Sequence, residues 1–268
     1  MRGPRPCSVR LLFLVGIALA LAACAGPPPV PGPSLRTLTV FAAASLRDAL
    51  GGVARAYRDR GFDLVMATDS STALRTQLEQ GAPADVFLAA DTRNPEALVK
   101  AGLAVGDIVP FAGNRLAIVV PKDNPANVRT PADLGRPGMK IIAAGDSVPI
   151  SAYAATLIEQ LAQLPGTPAG FAAGYAANVV SREGNVRGVL TKIELGEGDA
   201  AIVYASDAAG STSVTMIDIP VDANVIATYA GIVPASAWEP AAGGALLGWL
   251  AGPDGQAILG RYGFVAAP

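Results

Sequence analysis

Val40-Phe41-Ala42-Ala43-Ala44-Ser45-Leu46-Arg47-Asp48 is the stretch from which the rest of the chain can be read. A continuous apolar run ends in small residues and a hydroxyl, after which Leu46, Leu50, Val53 and Tyr57 recur at helical spacing. The pattern predicts a strand over 38–44 feeding directly into a helix, with Ser45 as the N-cap. The first N–H groups of a helix have no partner within it and carry the positive end of its dipole. A strand-to-helix turn built of small residues is therefore suited to an anion.

Toward the C-terminus the same grammar repeats. Phe62 to Ala67 reads as a second strand, followed by Asp69-Ser70-Ser71-Thr72 and then Leu74 and Leu78 on one helical face up to Gly81. Val86 to Ala89 is a third strand, and Pro95 opens another helix. This β-α-β-α-β order predicts a parallel α/β sheet that binds ligands at the carboxyl ends of its strands, with Ser45 and Ser71 at neighbouring ends. From Asn114 the pattern restarts, with strands over 116–120, 140–144, 200–204 and 214–219. Thr130-Pro131 looks like a helix cap with Pro at the first helical position. A turn-rich loop, Gly145 to Ser151, leads into a helix carrying Tyr153, Leu157 and Leu161, while residues 165–174 read as a loop. Asn185-Val186 opens a helix through Ile193, and the strand 200–204 ends in the hydroxyl of Tyr204. An extended crossing over 222–233 precedes two final helices, 237–250 and 254–261, the first containing Trp238 and Trp249. Two similar α/β halves joined by extended crossings predict two lobes with a ligand cleft between them.

Toward the N-terminus lies a segment of a different kind. Arg2, Arg5 and Arg10 precede the apolar run Leu11 to Ala22, which falls short of the roughly 20 residues needed to span a membrane and has the form of an export signal. It ends in Leu21-Ala22-Ala23-Cys24, which resembles the lipobox of bacterial lipoproteins, so residues 1–23 are expected to be removed and Cys24 to carry lipid. Residues 24–36 then form a Pro-rich tether, stiff because Pro fixes φ and removes a donor. The expected location is outside the cytoplasm, anchored to the cell membrane.

Composition narrows the chemistry. The chain contains no His, and of its two Cys residues Cys7 lies in the leader and Cys24 would be modified. Ser-His-Asp and Cys-His catalysis and His-based zinc sites are thereby excluded. The net charge is −2 with three Arg residues in the leader, so the exported part is more acidic still and has no basic run to hold nucleic acid. Asp85 and Asp91 flank the third strand and read as turn, cap or structural residues, because no second catalytic group accompanies them. Arg187, beside Val186, reads as a surface residue in the first turn of its helix.

Several of these blocks together resemble the periplasmic molybdate-binding proteins of molybdate ABC transporters. The match runs through Val40 to Leu46, Ser70-Ser71, Gln77 to Phe87, Gly145-Asp146 with Val148-Pro149, Val186-Arg187-Gly188, Ile202 to Ala208 and Arg261 to Phe264. It covers about Leu38 to Phe264. The resemblance implies a type II periplasmic-binding fold, with residues 37–112 plus 225–268 as lobe I and 113–224 as lobe II, closing on a tetrahedral oxyanion. It assigns hydroxyl and backbone N–H contacts to Ser45 and Ser71, backbone N–H contacts to Ile150 and Val186, and a phenol contact to Tyr204. Relatives commonly carry small residues at the positions of Ile150, Asp69 and Thr72. Asp69 is expected to face solvent or cap the following helix. The implied ligand is molybdate or tungstate, with no separate cofactor, and the implied partners are an ABC permease and its ATPase, with the chain a monomer.

The chemistry agrees with that assignment. A fully ionised oxyanion offers only acceptors, so its ideal cage contains only donors, and a donor-only cage disfavours protonated phosphate. Two further readings are a receptor for sulfate or another oxyanion, and an extracytoplasmic enzyme using Ser45 or Ser71 as nucleophile. The enzyme reading lacks any His base and any Gly-x-Ser-x-Gly turn.

Overall fold

The computed structural model describes residues 35–268. The expected export signal, Cys24 and nearly all of the expected tether lie outside the described residues; Arg36, counted above with the tether, already begins the first strand.

Strand β1 (Arg36–Ala43) is apolar and almost wholly buried along its second half, as expected of a central strand in a sheet covered on both faces. It pairs in parallel with β2 (Phe62–Asp69) on one side and β3 (Val86–Ala89) on the other. The helices α1 (Arg47–Arg58) and α2 (Ser71–Glu79) connect these strands, and α3 (Arg93–Lys100) follows β3. Because β1 and β2 are adjacent and parallel, with Ala43 opposite Asp69, the segments carrying Ser45 and Ser71 leave the same edge of the sheet side by side.

Strand β4 (Ala104–Pro121) is much longer than the expected strand over 116–120. Gly106, Asp107, Pro110 and Asn114 interrupt its apolar pattern. Pro110 and Asn114 are held extended by pairing with β9 (Ile226–Pro234), while Gly106, at φ 75°, and Asp107 fall in a register shift between Val105 and Val109. The last part of β4 pairs antiparallel with β7 (Ala200–Tyr204) and β8 (Val214–Ile217). Beyond β7 lie β5 (Ile141–Ala144) and then β6 (Val179–Glu183), both parallel pairings. The resulting order is β2-β1-β3-β9-β4-β7-β5-β6, with β8 pairing β4 off this path. β4 and β9 are the two strands that join the β1–β3 group to the β5–β8 group, which makes this a two-lobe α/β architecture with its crossings in the middle.

The second group is threaded by α4 (Pro149–Ala162), α5 (Phe171–Asn178), α6 (Val186–Glu194) and the short α7 (Ala205–Ala209). Helix α5 and strand β6 were not evident in the sequence, which read residues 165–174 as a loop. The α5 segment Phe-Ala-Ala-Gly-Tyr-Ala-Ala-Asn has no distinct apolar face, and β6 is a five-residue edge strand with alternating half-burial. Tertiary packing of Phe171 and a partner for β6 along β5 override the weak local signal. Thr130 heads a short 3-10 turn, Pro131–Gly135, with a complete capping box.

The chain ends in α8 (Pro240–Ala251) and α9 (Pro253–Arg261). Trp249 lies in α8 and meets Tyr57 of α1 edge-on at 5.2 Å between ring centres, whereas Trp238 precedes the helix and is 84% exposed. Gly113 of β4 exchanges backbone hydrogen bonds with Val265, and a Cβ there would stand 2.7 Å from the Ala266 carbonyl. Glycine at this position lets the C-terminal tail lie against the crossing strand.

Candidate functional site

At the carboxyl ends of β1, β2 and β7 the chain forms a small, partly open pocket. Ala43, Ala44, Ser45, Ser70 and Ser71 form one side, and Val148, Pro149, Asn185, Val186 and Tyr204 form the other. Four of the five residues singled out in the sequence, Ser45, Ser71, Val186 and Tyr204, therefore meet at one place. Ile150 does not line it. Its side chain is buried and faces a separate hollow with Tyr175 and Arg182, while Val148 and Pro149 form the cavity wall. What Ile150 retains is the first N–H of α4, since Pro149 has none. The hollow beside it is larger, but none of its lining residues carries a buried polar side-chain atom without a partner.

The two serines are held differently from the expected caps. Ser45 is not the N-cap of a helix. A 3-10 turn, Ala44–Leu46, intervenes between β1 and α1, Ala43 and Leu46 occupy the two cap positions, and neither makes a side-chain capping bond. The extra turn buries Ser45 and turns its hydroxyl to Tyr229, 2.7 Å away. In the second turn it is Ser70 that caps α2, accepting from the Ala73 N–H at 3.2 Å. Ser71 is then the first residue of the helix, and its Oγ accepts from the Ala90 N–H at 2.9 Å. That bond uses the hydroxyl oxygen as acceptor and leaves its proton for the cavity.

On the opposite wall Asn185 caps α6, accepting from the Gly188 N–H at 3.0 Å, as the sequence leads one to expect. Its Nδ2 donates to Asp69 Oδ1 at 2.9 Å, and the same oxygen accepts from the Ser70 N–H at 2.7 Å. Asp69 thus neither faces solvent nor caps α2. Its carboxylate accepts from donors on both sides of the cavity. Thr72 adds a second tie, donating to the Ser147 carbonyl at 2.6 Å.

Tyr204 is 1% exposed, and its hydroxyl has no hydrogen-bond partner among the described residues. Burial is the main cause that pushes this phenol well above its ordinary pKa, so it stays protonated and is a donor. An unpaired buried hydroxyl costs about 1–3 kcal/mol, and a ligand acceptor in the cavity it lines would remove that cost. No Lys or Arg lines the cavity. The cavity therefore presents hydroxyls, a phenol and the starts of α2, α4 and α6, a donor set suited to a small, fully ionised anion.

Charged residues stand one layer back. Arg187 is not the surface residue its position implied. Its side chain is 25% exposed and lies between Asp48 of α1, at 3.1 Å, and Asp207 of α7, at 3.4 Å. Asp207 is fully buried, and desolvation pushes its pKa up to about 7, against the opposing pull of Arg187. Asp85 and Asp91 are structural. Asp85 accepts from the N–H groups of Thr39, Trp238 and Glu239, and Asp91 accepts from the Asn94 N–H and side-chain amide. Tyr229 and Asn114, buried behind Ser45, gave no signal in the sequence, because strand residues with no local motif are indistinguishable from core.

Known proteins resemble this chain along most of its length. Residues 38–265 match the family described as bacterial extracellular solute-binding protein. A molybdate-binding protein ModA from Mycobacterium tuberculosis is 35% identical over 92% of this chain and 94% of its own length. ModA of Escherichia coli is 31% identical over 85% and 88%. Among solved structures, the periplasmic molybdate-binding protein of Azotobacter vinelandii superposes with a TM-score of 0.73 at 22% identity, covering 86% of this chain and all of that one. The sulfate-binding protein SubI of Mycobacterium tuberculosis reaches 0.74 at 21% identity, over 85% and 86% of the two chains. The last two likenesses establish the shared fold.

Proposed function

The chain belongs to the bacterial extracellular solute-binding proteins, and from that premise we propose that it captures molybdate, and with it tungstate, and delivers the anion to an ABC permease powered by a cytoplasmic ATPase. Its relatives at 35% and 31% identity are molybdate-binding proteins. The observation that carries the reading is the buried, unpartnered Tyr204 hydroxyl in a cavity whose other walls are Ser45, Ser71 and the start of α6 at Val186. The first N–H of α4, from Ile150, completes the donor set. Residues 37–112 with 225–268 form one lobe in this reading and 113–224 the other. Because both supply donors, the anion favours the closed arrangement.

A receptor fits better than an enzyme. Ser71 is bonded to a backbone N–H and Ser45 to a phenol, so neither hydroxyl has a general base. The chain needs no cofactor besides the anion it carries and acts as a monomer. Its anchor is lipid on Cys24, which places it at the outer face of the membrane that holds its permease. Substituting Cys24→Ala is expected to release the protein from membranes into the soluble extracytoplasmic fraction.

Calorimetric titration with molybdate, tungstate, sulfate and phosphate tests the central claim. Saturable binding of molybdate and tungstate, with sulfate weaker and phosphate weaker still, is expected. Absence of heat and of thermal stabilisation with all four anions overturns it, and a preference for sulfate over molybdate reassigns the cargo.

A further inference from the structure

We propose that Tyr229 is a positioning residue. Through hydrogen bonds directed from Asn114 to Tyr229 to Ser45, it commits the Ser45 proton to the cavity and so biases that wall toward fully ionised oxyanions. The inference rests on reading the cavity as an oxyanion site.

Tyr229 lies on β9 and is completely buried. Its ring is fixed by edge-to-face contacts with Tyr204 at 5.5 Å, Phe264 at 5.3 Å and Phe111 at 6.3 Å. Its hydroxyl oxygen is 2.7 Å from Ser45 Oγ, a distance that leaves open which oxygen donates. Asn114 decides the direction. Also completely buried, it points Nδ2 at Ser206 Oγ, 2.8 Å away, and at the Tyr229 hydroxyl, 3.4 Å away, while its Oδ1 has no partner among the described residues. Exchanging the amide's oxygen and nitrogen would strand two N–H donors in place of one carbonyl oxygen. Orphaned buried donors are the rarer and costlier defect, so the N–H groups face Ser206 and Tyr229.

The consequence follows by counting protons. With the Asn114 N–H groups facing Tyr229, the buried phenol proton has no acceptor among the described residues other than Ser45 Oγ, so it goes there. Ser45 has accepted one bond, has no other partner among the described residues, and lines the cavity with its proton still to give. Burial keeps the Tyr229 phenol protonated, so this direction does not reverse with pH in the ordinary range. Ser71 reaches the same state by a different route, since the Ala90 N–H takes one lone pair of its oxygen. A serine hydroxyl free to rotate either donates to an oxyanion or accepts from a protonated one. Tyr229 takes one of the two lone pairs of Ser45 and leaves its proton to be satisfied, so donation to the ligand is favoured over acceptance there, which biases the wall against hydrogen phosphate.

Tyr229→Phe keeps the packed ring and deletes only the hydroxyl. Titrating wild type, Tyr229→Phe, Ser45→Ala and the double variant with molybdate and with inorganic phosphate at neutral pH tests the proposal. Tyr229→Phe is expected to weaken molybdate about tenfold, the loss of one well-oriented bond to a charged partner, and to narrow the preference for molybdate over phosphate by a similar factor. In the Ser45→Ala background the same substitution should change molybdate affinity less than about twofold, because the residue acts through Ser45. Asn114→Leu, which removes the donor to Tyr229 and leaves both hydroxyls, should narrow the preference as well and gives a second route should Tyr229→Phe fold poorly. Unchanged selectivity in both Tyr229→Phe and Asn114→Leu overturns the proposal, as does an equal loss with and without Ser45. Failure of the wild type itself to bind molybdate overturns instead the receptor reading beneath it.

Discussion

The Arg187 guanidinium lies 3.1 Å from the Asp48 carboxylate, joining the first turn of α6 to the first turn of α1. One partner is a single residue from Val186 and the other three residues from Ser45, so the pair fastens the two sides of the cavity without lining it. A cation held there stabilises the closed arrangement, and its loss acts on escape of the ligand more than on its capture. Arg187→Ala is expected to speed molybdate dissociation about fivefold, within the usual range for coupling between distinct sites, with the association rate nearly unchanged, as read by stopped-flow fluorescence. A slower association at constant dissociation would mean that Arg187 steers the anion instead.

Tyr204→Phe should change stability and binding in opposite senses. The hydroxyl has no partner in the ligand-free protein, so removing it is expected to raise stability by about 1 kcal/mol. Molybdate affinity should fall about tenfold or more, since the lost bond is to a charged ligand. Denaturant unfolding without ligand and calorimetry with it measure the two effects. A drop in both would show that the phenol has a structural partner.

Asp207 sets a pH dependence whose sign can be worked out. Its folded pKa is raised to about 7 from an ordinary 3.8, so between those values the folded chain holds a proton that the unfolded chain has released. The stability gained from that proton is full below about pH 4 and is lost as pH rises through about 7. Asp207→Asn, which cannot ionise, should therefore gain in melting temperature relative to wild type on going from pH 5 to pH 7.5. A difference that stays flat with pH would place the titration elsewhere.

Asp85→Ala tests the reading of that carboxylate as structural. Three backbone N–H groups, of Thr39, Trp238 and Glu239, lose their acceptor within β1 and before α8. A loss of about 3 kcal/mol in unfolding free energy is expected, with molybdate affinity of the folded fraction within about twofold of wild type because the site lies at the other end of the strands. A selective loss of binding would show that Asp85 acts on the site and not only on the fold.

The elements that carry their own periodicity were legible in advance. Strands β3 and β7 fall where the apolar runs place them, and the helix opened by Asn185 begins with the expected cap. What could not be read is whatever depends on partners distant in the chain. The length of β4, the existence of β6 and the burial of Arg187 all follow from neighbours more than twenty residues away. Ser45 shows both sides at once. Its place after a strand and its small neighbours marked an anion-binding turn, but the 3-10 turn that takes it out of the cap position, and the Tyr229 hydroxyl that holds it, belong to tertiary packing.

By itself the sequence determined the absence of histidine chemistry, the α/β alternation and the hydroxyl-bearing strand ends, because each rests on composition or short-range spacing. Only the tertiary structure decided that Ser45, Ser71, Val186 and Tyr204 enclose one cavity, that Ile150 stands behind it, and that Asp69 is tied to Asn185 across it. Those relations depend on strand order and on the β4 and β9 crossings, which bring distant segments together through long-range pairing that local periodicity does not encode.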